Sequence, residues 1–329
     1  MRRRDLLGVL GGAAVAWPFA AHAQQAARMR HIGVLMAYGE SDAEGQAYMA
    51  AFLDGLQKLG WSEGRNLRID PRWPGVDLSA LQGAAKELVS LQPESILAAN
   101  TPATAALLRE TRSIPVVFAA AADPVGSGFV ASYPHPGGNA TGFTVLDGSM
   151  GGKWLELLKE IAPRVKRAAF LFNPGTAPYE YFLGPFKAAA AALNVRAIEA
   201  PVRDRSELEV VIAGLAREPD GGVVVMPGPF PTAHRVEITA LAARYRLPAA
   251  YPYRYFSSIG GLLSYGNDVS DNFRRTATYI DRILKGAKPG ELPVQAPVKF
   301  DLVINLKTAR VLGLDVPMLL QQRADEVIE

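Results

Sequence analysis

The feature that most limits the fold of this 329-residue chain is a regular alternation of strand-like and helix-like segments. Short apolar segments that end in turn residues predict buried strands, and segments with apolar residues at helical spacing lie between them. In the first half of the chain the predicted strands are RHIGVLMAYG, NLRIDPRW, ESILAAN and PVVFAAAADP. Strands that alternate with helices favour a parallel sheet with helices on both of its faces.

The alternation starts again after Tyr133–Gly152, a segment rich in Gly and Pro that suits a crossing between two lobes. Beyond it the predicted strands are KRAAFLFNPG, VRAIEAPV and DGGVVVMPG, again separated by helices. We therefore predict an α/β fold with two similar lobes, each a parallel sheet flanked by helices, and a ligand cleft between them.

The lobes are expected to be discontinuous, with two more crossings at Gly260–Gly266 and Leu292–Pro297. The predicted ranges are residues 29–142 with 262–292 for the N-terminal lobe, and residues 143–261 with 293–329 for the C-terminal lobe.

The first residues, MRRRDLLGVLGGAAVAWPFAAHAQQ, predict a secretory signal peptide over residues 1–23. They combine a basic start, an apolar run over Leu6–Trp17 that is too short to span a bilayer, and an Ala-x-Ala site at Ala21–Ala23. The five residues Arg3–Leu7 also fit the twin-arginine pattern, with ordinary Sec export as the alternative. We expect cleavage near Ala23 and a periplasmic, monomeric protein that does not insert into the membrane.

The charge of the chain gives no reason to expect a nucleic-acid partner. The formal net charge is +3, but three of the 35 basic residues and one of the 32 acidic residues lie in the first five positions. Removal of the signal peptide leaves 32 basic and 31 acidic residues, which is too even a balance for a phosphate-binding surface. The absence of cysteine also excludes disulfides, thiolate metal sites and cysteine nucleophiles.

The candidate ligand-binding residues follow the predicted strands, because ligands of open parallel sheets sit beyond the carboxyl ends of the strands. They are Tyr38, Asn100, Thr101, Asp123, Thr144, Asn173, Tyr179, Met226 and Tyr251.

Thr101 is predicted to cap a helix, with Pro102 at its first position. The free N–H groups of Ala103 and Thr104 then suit a ligand carboxylate. The alternative is that Thr101 only caps its helix.

Asp123 is expected to hold a ligand ammonium or hydroxyl group, because its own strand offers it no partner. The alternative is a turn formed by Asp123 before Pro124. Two aromatic clusters near strand ends suggest a flat, partly apolar ligand, although core packing is the better expectation for any single ring. The clusters are Tyr179, Tyr181 and Phe182, and Tyr251, Tyr253, Tyr255 and Phe256.

Signatures of catalysis, metals and cofactors are weak. His31, His135 and His234 are not at metal-ligand spacing, and no G-x-S-x-G is present. The G-x-G-x-x-A match at Gly126–Ala131 follows Pro124, which breaks the strand-to-glycine junction of a dinucleotide fingerprint. We expect no catalytic residues, no metal and no cofactor, and thus a binding protein rather than an enzyme.

Four long stretches resemble the substrate-binding proteins of ABC transporters, in the branch that includes TrpX-type aromatic amino-acid binders. The stretches are DPVGSGFVASYPHPGGNATGFT, LLKEIAPRVKRAAFLFNP, GGLLSYGNDVSDNFRRTATYIDRILKGAKPGELPV and KFDLVINLKTARVLGLDVPMLLQQRADEVIE. His135 stands where that family commonly has a basic residue before Pro-Gly-Gly-Asn. The resemblance implies a type I periplasmic-binding-protein fold, a small ligand clamped in the cleft and delivery of that ligand to a membrane permease.

On this resemblance the expected ligand is an aromatic or hydrophobic amino acid. Asp123 would take its ammonium, the helix start at Thr101 its carboxylate, and aromatic residues of the two lobes its side chain. Two alternatives remain open: an aromatic or branched small carboxylate without an amine, and an extracytoplasmic enzyme on the same scaffold.

Overall fold

The computed structural model describes residues 29–176 and 178–329. The predicted signal peptide, its cleavage near Ala23 and the twin-arginine pattern lie outside these residues. In the described part of the chain the strands form two sheets, one of five strands and one of seven.

The first sheet has the order β2-β1-β3-β4-β5, and all of its neighbouring strands are parallel. Every residue of β3 and β4 is buried, which is typical of parallel strands covered by helices on both faces. Its strands are β1 (Arg30–Leu35), β2 (Leu67–Arg72), β3 (Ser95–Ala98), β4 (Val116–Ala121) and β5 (Ala140–Thr144). The helices of this part are α1 (Ala43–Lys58), α2 (Leu78–Ser90) and α3 (Thr101–Glu110).

The second sheet has the order β12-β11-β10-β9-β8-β6-β7, in which the β10–β11 pair is antiparallel and the others are parallel. Its strands are β6 (Arg167–Phe172), β7 (Arg196–Pro201), β8 (Gly221–Val225), β9 (Ala249–Tyr251), β10 (Leu263–Gly266), β11 (Asp301–Asn305) and β12 (Glu326–Ile328). The remaining α-helices are α4 (Met150–Ile161), α5 (Glu180–Ala192), α6 (Arg205–Leu215), α7 (Pro229–Ala233), α8 (Arg235–Arg244), α9 (Arg254–Ser258), α10 (Val269–Leu284), α11 (Leu306–Leu312) and α12 (Met318–Arg323). The two sheets confirm the predicted α/β fold with two lobes.

All three boundaries between the lobes lie a few residues later than the sequence predicts, because Val294 and Gln295 also bond to the first lobe. β5 continues to Thr144, so residues 143 and 144 belong to the first sheet. Residues 262–266 were assigned to the N-terminal lobe, but β10 pairs with β9 and β11 in the second sheet. The apolar strand pattern of Leu263–Gly266 fits either sheet, and only the long-range pairing decides between them.

Helix α10 returns to the N-terminal lobe and packs closely against α1. Gly55 makes this approach possible, because a Cβ atom at this position would lie 2.6 Å from the carbonyl oxygen of Arg274. The chain therefore completes the N-terminal lobe with residues that follow the C-terminal lobe in sequence.

Side chains of α10 also hold the crossings in place. The amide Nδ2 of Asn272 donates to the carbonyl oxygen of Thr144 (3.0 Å), and the hydroxyl of Tyr279 donates to that of Pro293 (2.6 Å). Gln295 extends the edge of the first sheet, since its N–H donates to the carbonyl oxygen of Gly142 (3.0 Å). Among the described residues no helix is both long enough and apolar enough to cross a bilayer.

Candidate functional site

A small cavity of about 20 Å³ lies between the two lobes, where the carboxyl ends of their strands meet. A volume of this size holds about one water molecule. From the N-terminal lobe it is lined by Tyr38, Tyr48, Asn100, Thr101, Ala120 and Ala122. From the C-terminal lobe it is lined by Thr176, Pro227, Gly228, Pro229, Thr232 and Tyr253, and Val145 and Val269 complete the wall near the crossings.

Asn100, rather than Thr101, caps α3. Its Oδ1 accepts a hydrogen bond from the N–H of Ala103 (3.3 Å), so the helix begins at Thr101 and Pro102 is its second residue. The Oγ1 of Thr101 instead accepts from the N–H of Ala122 (2.9 Å), which ties the start of α3 to the end of β4. The sequence prediction of the cap was therefore wrong by one residue.

Each lobe presents one unpartnered polar atom at this cavity. The Nδ2 of Asn100 and the Oγ1 of Thr176 are buried and have no hydrogen-bond partner among the described residues, although the Tyr38 hydroxyl lies beside Asn100. Buried polar atoms are usually hydrogen-bonded, so two unpaired ones from opposite lobes at one cavity indicate where a ligand supplies the missing partners.

The wall of the cavity carries three tyrosines and no charged side chain. The rings of Tyr38 and Tyr48 meet edge to face with 5.7 Å between centroids, and Tyr48 stacks on Phe273 at 5.0 Å. Burial raises the pKa of Tyr38, Tyr48 and Tyr253 well above that of a free tyrosine. These hydroxyls therefore stay protonated, and the wall offers flat apolar faces together with neutral hydrogen-bonding groups.

An ion pair joins the lobes beside this cavity. Arg235 at the start of α8 donates from Nη1 to Oδ2 of Asp42 (2.7 Å), and each side chain is only 14% exposed. The other oxygen of Asp42 caps α1 by accepting from the N–H groups of Glu44 and Gly45, both at 3.0 Å. The described conformation is thus held partly by a contact between the lobes.

Three of the nine candidate residues, Tyr38, Asn100 and Thr101, line the cavity, and Asp123 does not. Asp123 has a positive φ of 40°, and its Oδ1 accepts from the N–H of Gly126 (2.9 Å). This is the turn geometry that the sequence offered as the alternative.

The other five candidates also lie outside the lining of the cavity. Thr144 is at a crossing, and Met226 is fully buried. Asn173 fixes its own loop through the N–H of Gly175 (2.9 Å) and the carbonyl oxygen of Arg203 (2.9 Å). Two candidate rings are packed against neighbours, Tyr179 on Phe172 and Tyr251 on Phe256.

The sequence missed several lining residues. Tyr48 lies on α1 at a spacing that indicates a core residue, and Thr176 is in a turn without any distinguishing pattern. Tyr253 belonged to a predicted aromatic cluster, but the sequence favoured Tyr251 of the same cluster. Within residues 29–176 and 178–329 no group of three His, Cys, Asp or Glu side chains could hold a metal ion.

The chain is similar to known proteins over most of its length. Residues 35–328 match the sequence model of a family described as ABC transporter substrate binding protein. A tyrosine-binding protein of Clostridioides difficile (strain R20291) is 26% identical over 272 residues, which are 80% of this chain and 75% of that protein.

Two solved structures are similar over nearly their whole length. A conserved domain protein from Vibrio cholerae O1 biovar El Tor is 28% identical with a TM-score of 0.84, covering 92% of this chain and 99% of its own. A structure from Streptococcus pneumoniae, described as an ABC domain in complex with L-Trp, is 26% identical with a TM-score of 0.84. The match covers 91% of this chain and 100% of that structure's chain.

Proposed function

The chain belongs to the ABC transporter substrate-binding protein family, and we propose that its substrate is an aromatic amino acid clamped between the two lobes. The observation that carries this proposal is the cavity between the lobes, with tyrosine walls and one unpartnered polar atom from each side. The binding of tyrosine and of L-Trp by two relatives supports the same ligand class.

The carboxylate of the ligand is proposed to lie at the start of α3. The N–H groups of Ala103 and Thr104, which the sequence predicted to be free, bond to Asn100 instead. The attraction that remains is that of the amino terminus of a ten-residue helix for negative charge. The Nδ2 of Asn100 supplies a further donor that has no partner among the described residues. Thr176 on the other lobe completes a contact that exists only when the lobes are together, so binding stabilises the closed state.

The protein is proposed to bind its ligand without turning it over. Exported through its signal peptide and cleaved near Ala23, it works as a periplasmic monomer that delivers the ligand to a membrane permease. Family members are binding proteins, and the cavity wall offers neutral tyrosines and amide and hydroxyl groups rather than an activated nucleophile.

A thermal-shift screen of the mature protein tests the ligand class. L-Trp, L-Tyr and L-Phe are expected to raise the melting temperature, since a ligand at a hundredfold its Kd adds about 2.7 kcal/mol to the free energy of unfolding. Matched sets of aliphatic amino acids, deaminated aromatic acids, nucleosides and sugars serve as controls. A shift with the deaminated or branched acids alone would replace the amino-acid proposal, and product formation detected by NMR would indicate an enzyme.

A further inference from the structure

A second chamber of about 180 Å³ adjoins the central cavity, and Tyr48, Tyr253 and Val269 line both. Its far side carries Glu44 of α1 and Asn267 and Asp268 of the crossing before α10. We propose that this chamber binds an ammonium group, and that the group is the amino group of the amino-acid ligand. This inference rests on the proposed function.

Asn267 is the first observation that points to a ligand here. The residue is only 7% exposed, and both its Nδ2 and its Oδ1 are buried without a hydrogen-bond partner among the described residues. A buried amide with neither atom satisfied is rare in native proteins. Its Oδ1 is a ready acceptor for an N–H donor brought in by a ligand.

The charge of the chamber is the second observation. Two other charged side chains at its wall are already paired, Arg254 with Glu326 (2.6 Å) and Asp301 with Lys299 (3.0 Å). Glu44 and Asp268 have no cationic partner within 4.0 Å in the part of the chain that the structure describes. The chamber therefore has two carboxylates whose charge is not compensated by an ion pair.

Glu44 and Asp268 keep oxygens free for a ligand. Asp268 uses Oδ1 to cap α10 at the N–H of Ser270 (2.8 Å), which leaves Oδ2 available. Burial raises the pKa of Glu44, with Arg235 opposing this rise and Asp42 and Asp268 adding to it. A bound cation reverses such a rise, because an opposite charge favours the ionised carboxylate.

The arrangement suits an ammonium better than other ligands. An ammonium group has three donors and no acceptor, which matches the oxygens of Glu44, Asn267 and Asp268. The side chains of Tyr48, Tyr253 and Tyr255 line the rest of this wall and carry no charge that would repel an ammonium. Glu44 belongs to α1 of the N-terminal lobe, whereas Asn267 and Asp268 belong to the crossing before α10. A bound ammonium therefore links the N-terminal lobe to a crossing between the lobes.

Calorimetric titration tests the chamber with Glu44→Gln and Asp268→Asn, using the aromatic amino acid with the largest thermal shift. Glu44→Gln is expected to weaken binding at least about tenfold, because it removes a half-buried charge that pairs with the ammonium. Asp268→Asn is expected to weaken it less, because Asp268 is exposed to water. Glu180→Gln is the matched control, since it removes a first-turn carboxylate from α5 and is expected to leave affinity unchanged. For the deaminated analogue, both variants should bind as well as wild type does.

The outcomes separate this inference from the proposed function. If wild type binds amino acids and Glu44→Gln and Asp268→Asn bind them equally well, the chamber assignment is wrong and the proposed function stands. Asp123→Asn is titrated beside them, and a loss confined to that variant would restore the sequence-based assignment of the ammonium. If wild type prefers the deaminated acid, both proposals fall. Tyramine tests the chamber without a carboxylate: binding that Glu44→Gln weakens supports the chamber, and binding that Glu44→Gln leaves unchanged contradicts it.

Discussion

At the scale of single residues, Asp42 connects local structure with the contact between the lobes. One carboxylate oxygen caps α1 and the other accepts from Arg235 across the cleft. An exposed ion pair contributes little to stability. In a pair shielded from water, desolvation offsets much of the attraction, but removal of one partner is costly because the other charge is left buried and unpaired. Each side chain of the Asp42–Arg235 pair is only 14% exposed, so this pair is largely shielded from water.

Arg235→Met tests the pair without disturbing the cap of α1. We expect ligand affinity to fall by roughly 1–2 kcal/mol, because only the closed form loses a contact. Arg244→Met is the matched control on the same helix, since Arg244 pairs with Glu209 at the surface (2.8 Å, 65% and 53% exposed). Calorimetric titration of both variants measures the effect, and equal affinities would show that the pair does not favour closure.

The residues at the ends of the predicted strands indicated where the cleft lies, but they did not predict every contact within it. Asn100 and Thr101 are adjacent residues that both suit a helix cap, and the N–H of Ala122, twenty-one positions away, decides between them. The sequence offered two interpretations of Asp123, and only the Gly126 contact distinguishes them. Asn267 and Thr176 carry no sequence signal, because a polar residue in a turn is ordinary until its burial is known.

At the scale of elements, the crossing of α1 and α10 depends on one missing side chain. A Cβ atom at position 55 would lie 2.6 Å from the carbonyl oxygen of Arg274 and 2.9 Å from the Cβ of Ala277. Backbone in the middle of a packed helix cannot move aside easily, so the two helices would have to separate.

Gly55→Ala is therefore expected to lower the free energy of unfolding by roughly 1–3 kcal/mol despite the better helix propensity of alanine. Gly83→Ala in α2 is the control, because nothing lies within 4 Å of a Cβ atom there. That variant should be stabilised by up to about 1 kcal/mol. Urea denaturation of both proteins checks the opposite signs, and stabilisation of both would mean that α1 and α10 do not pack this closely.

Strands and helices were predictable in kind because their hydrophobic periods are local. The lobe to which each strand belongs was harder to predict. The four residues Leu263–Gly266 of β10, for example, fit a buried strand in either sheet. The antiparallel pairing of β10 with β11 is set by partners about forty residues apart, which no local pattern reports.

At the scale of the whole molecule, the cavity between the lobes is too small for the ligand that the fold is proposed to carry. A volume of about 20 Å³ holds roughly one water molecule, so an amino acid enters only if the lobes part. The crossings beside Thr144, Asn267 and Gln295 are where such a hinge motion would occur.

Distance measurements between spin labels test this motion directly, because the chain has no native cysteine to give background labelling. Ser79→Cys and Arg203→Cys place labels on exposed residues that face each other across an open groove between the lobes. Without ligand the distance should be long or broadly distributed, and it should shorten and narrow at saturation. A distribution that saturating ligand does not change would contradict hinge closure.

The return of α10 to the first lobe has a consequence for synthesis on the ribosome. The face of α1 that contains Gly55 stays uncovered until residues 269–284 have been made, after the first ten strands. At bacterial elongation rates this wait lasts on the order of ten seconds. A nascent chain of this protein cannot finish its first lobe early, so it depends on chaperones, or on delayed folding, for most of the time it takes to be translated.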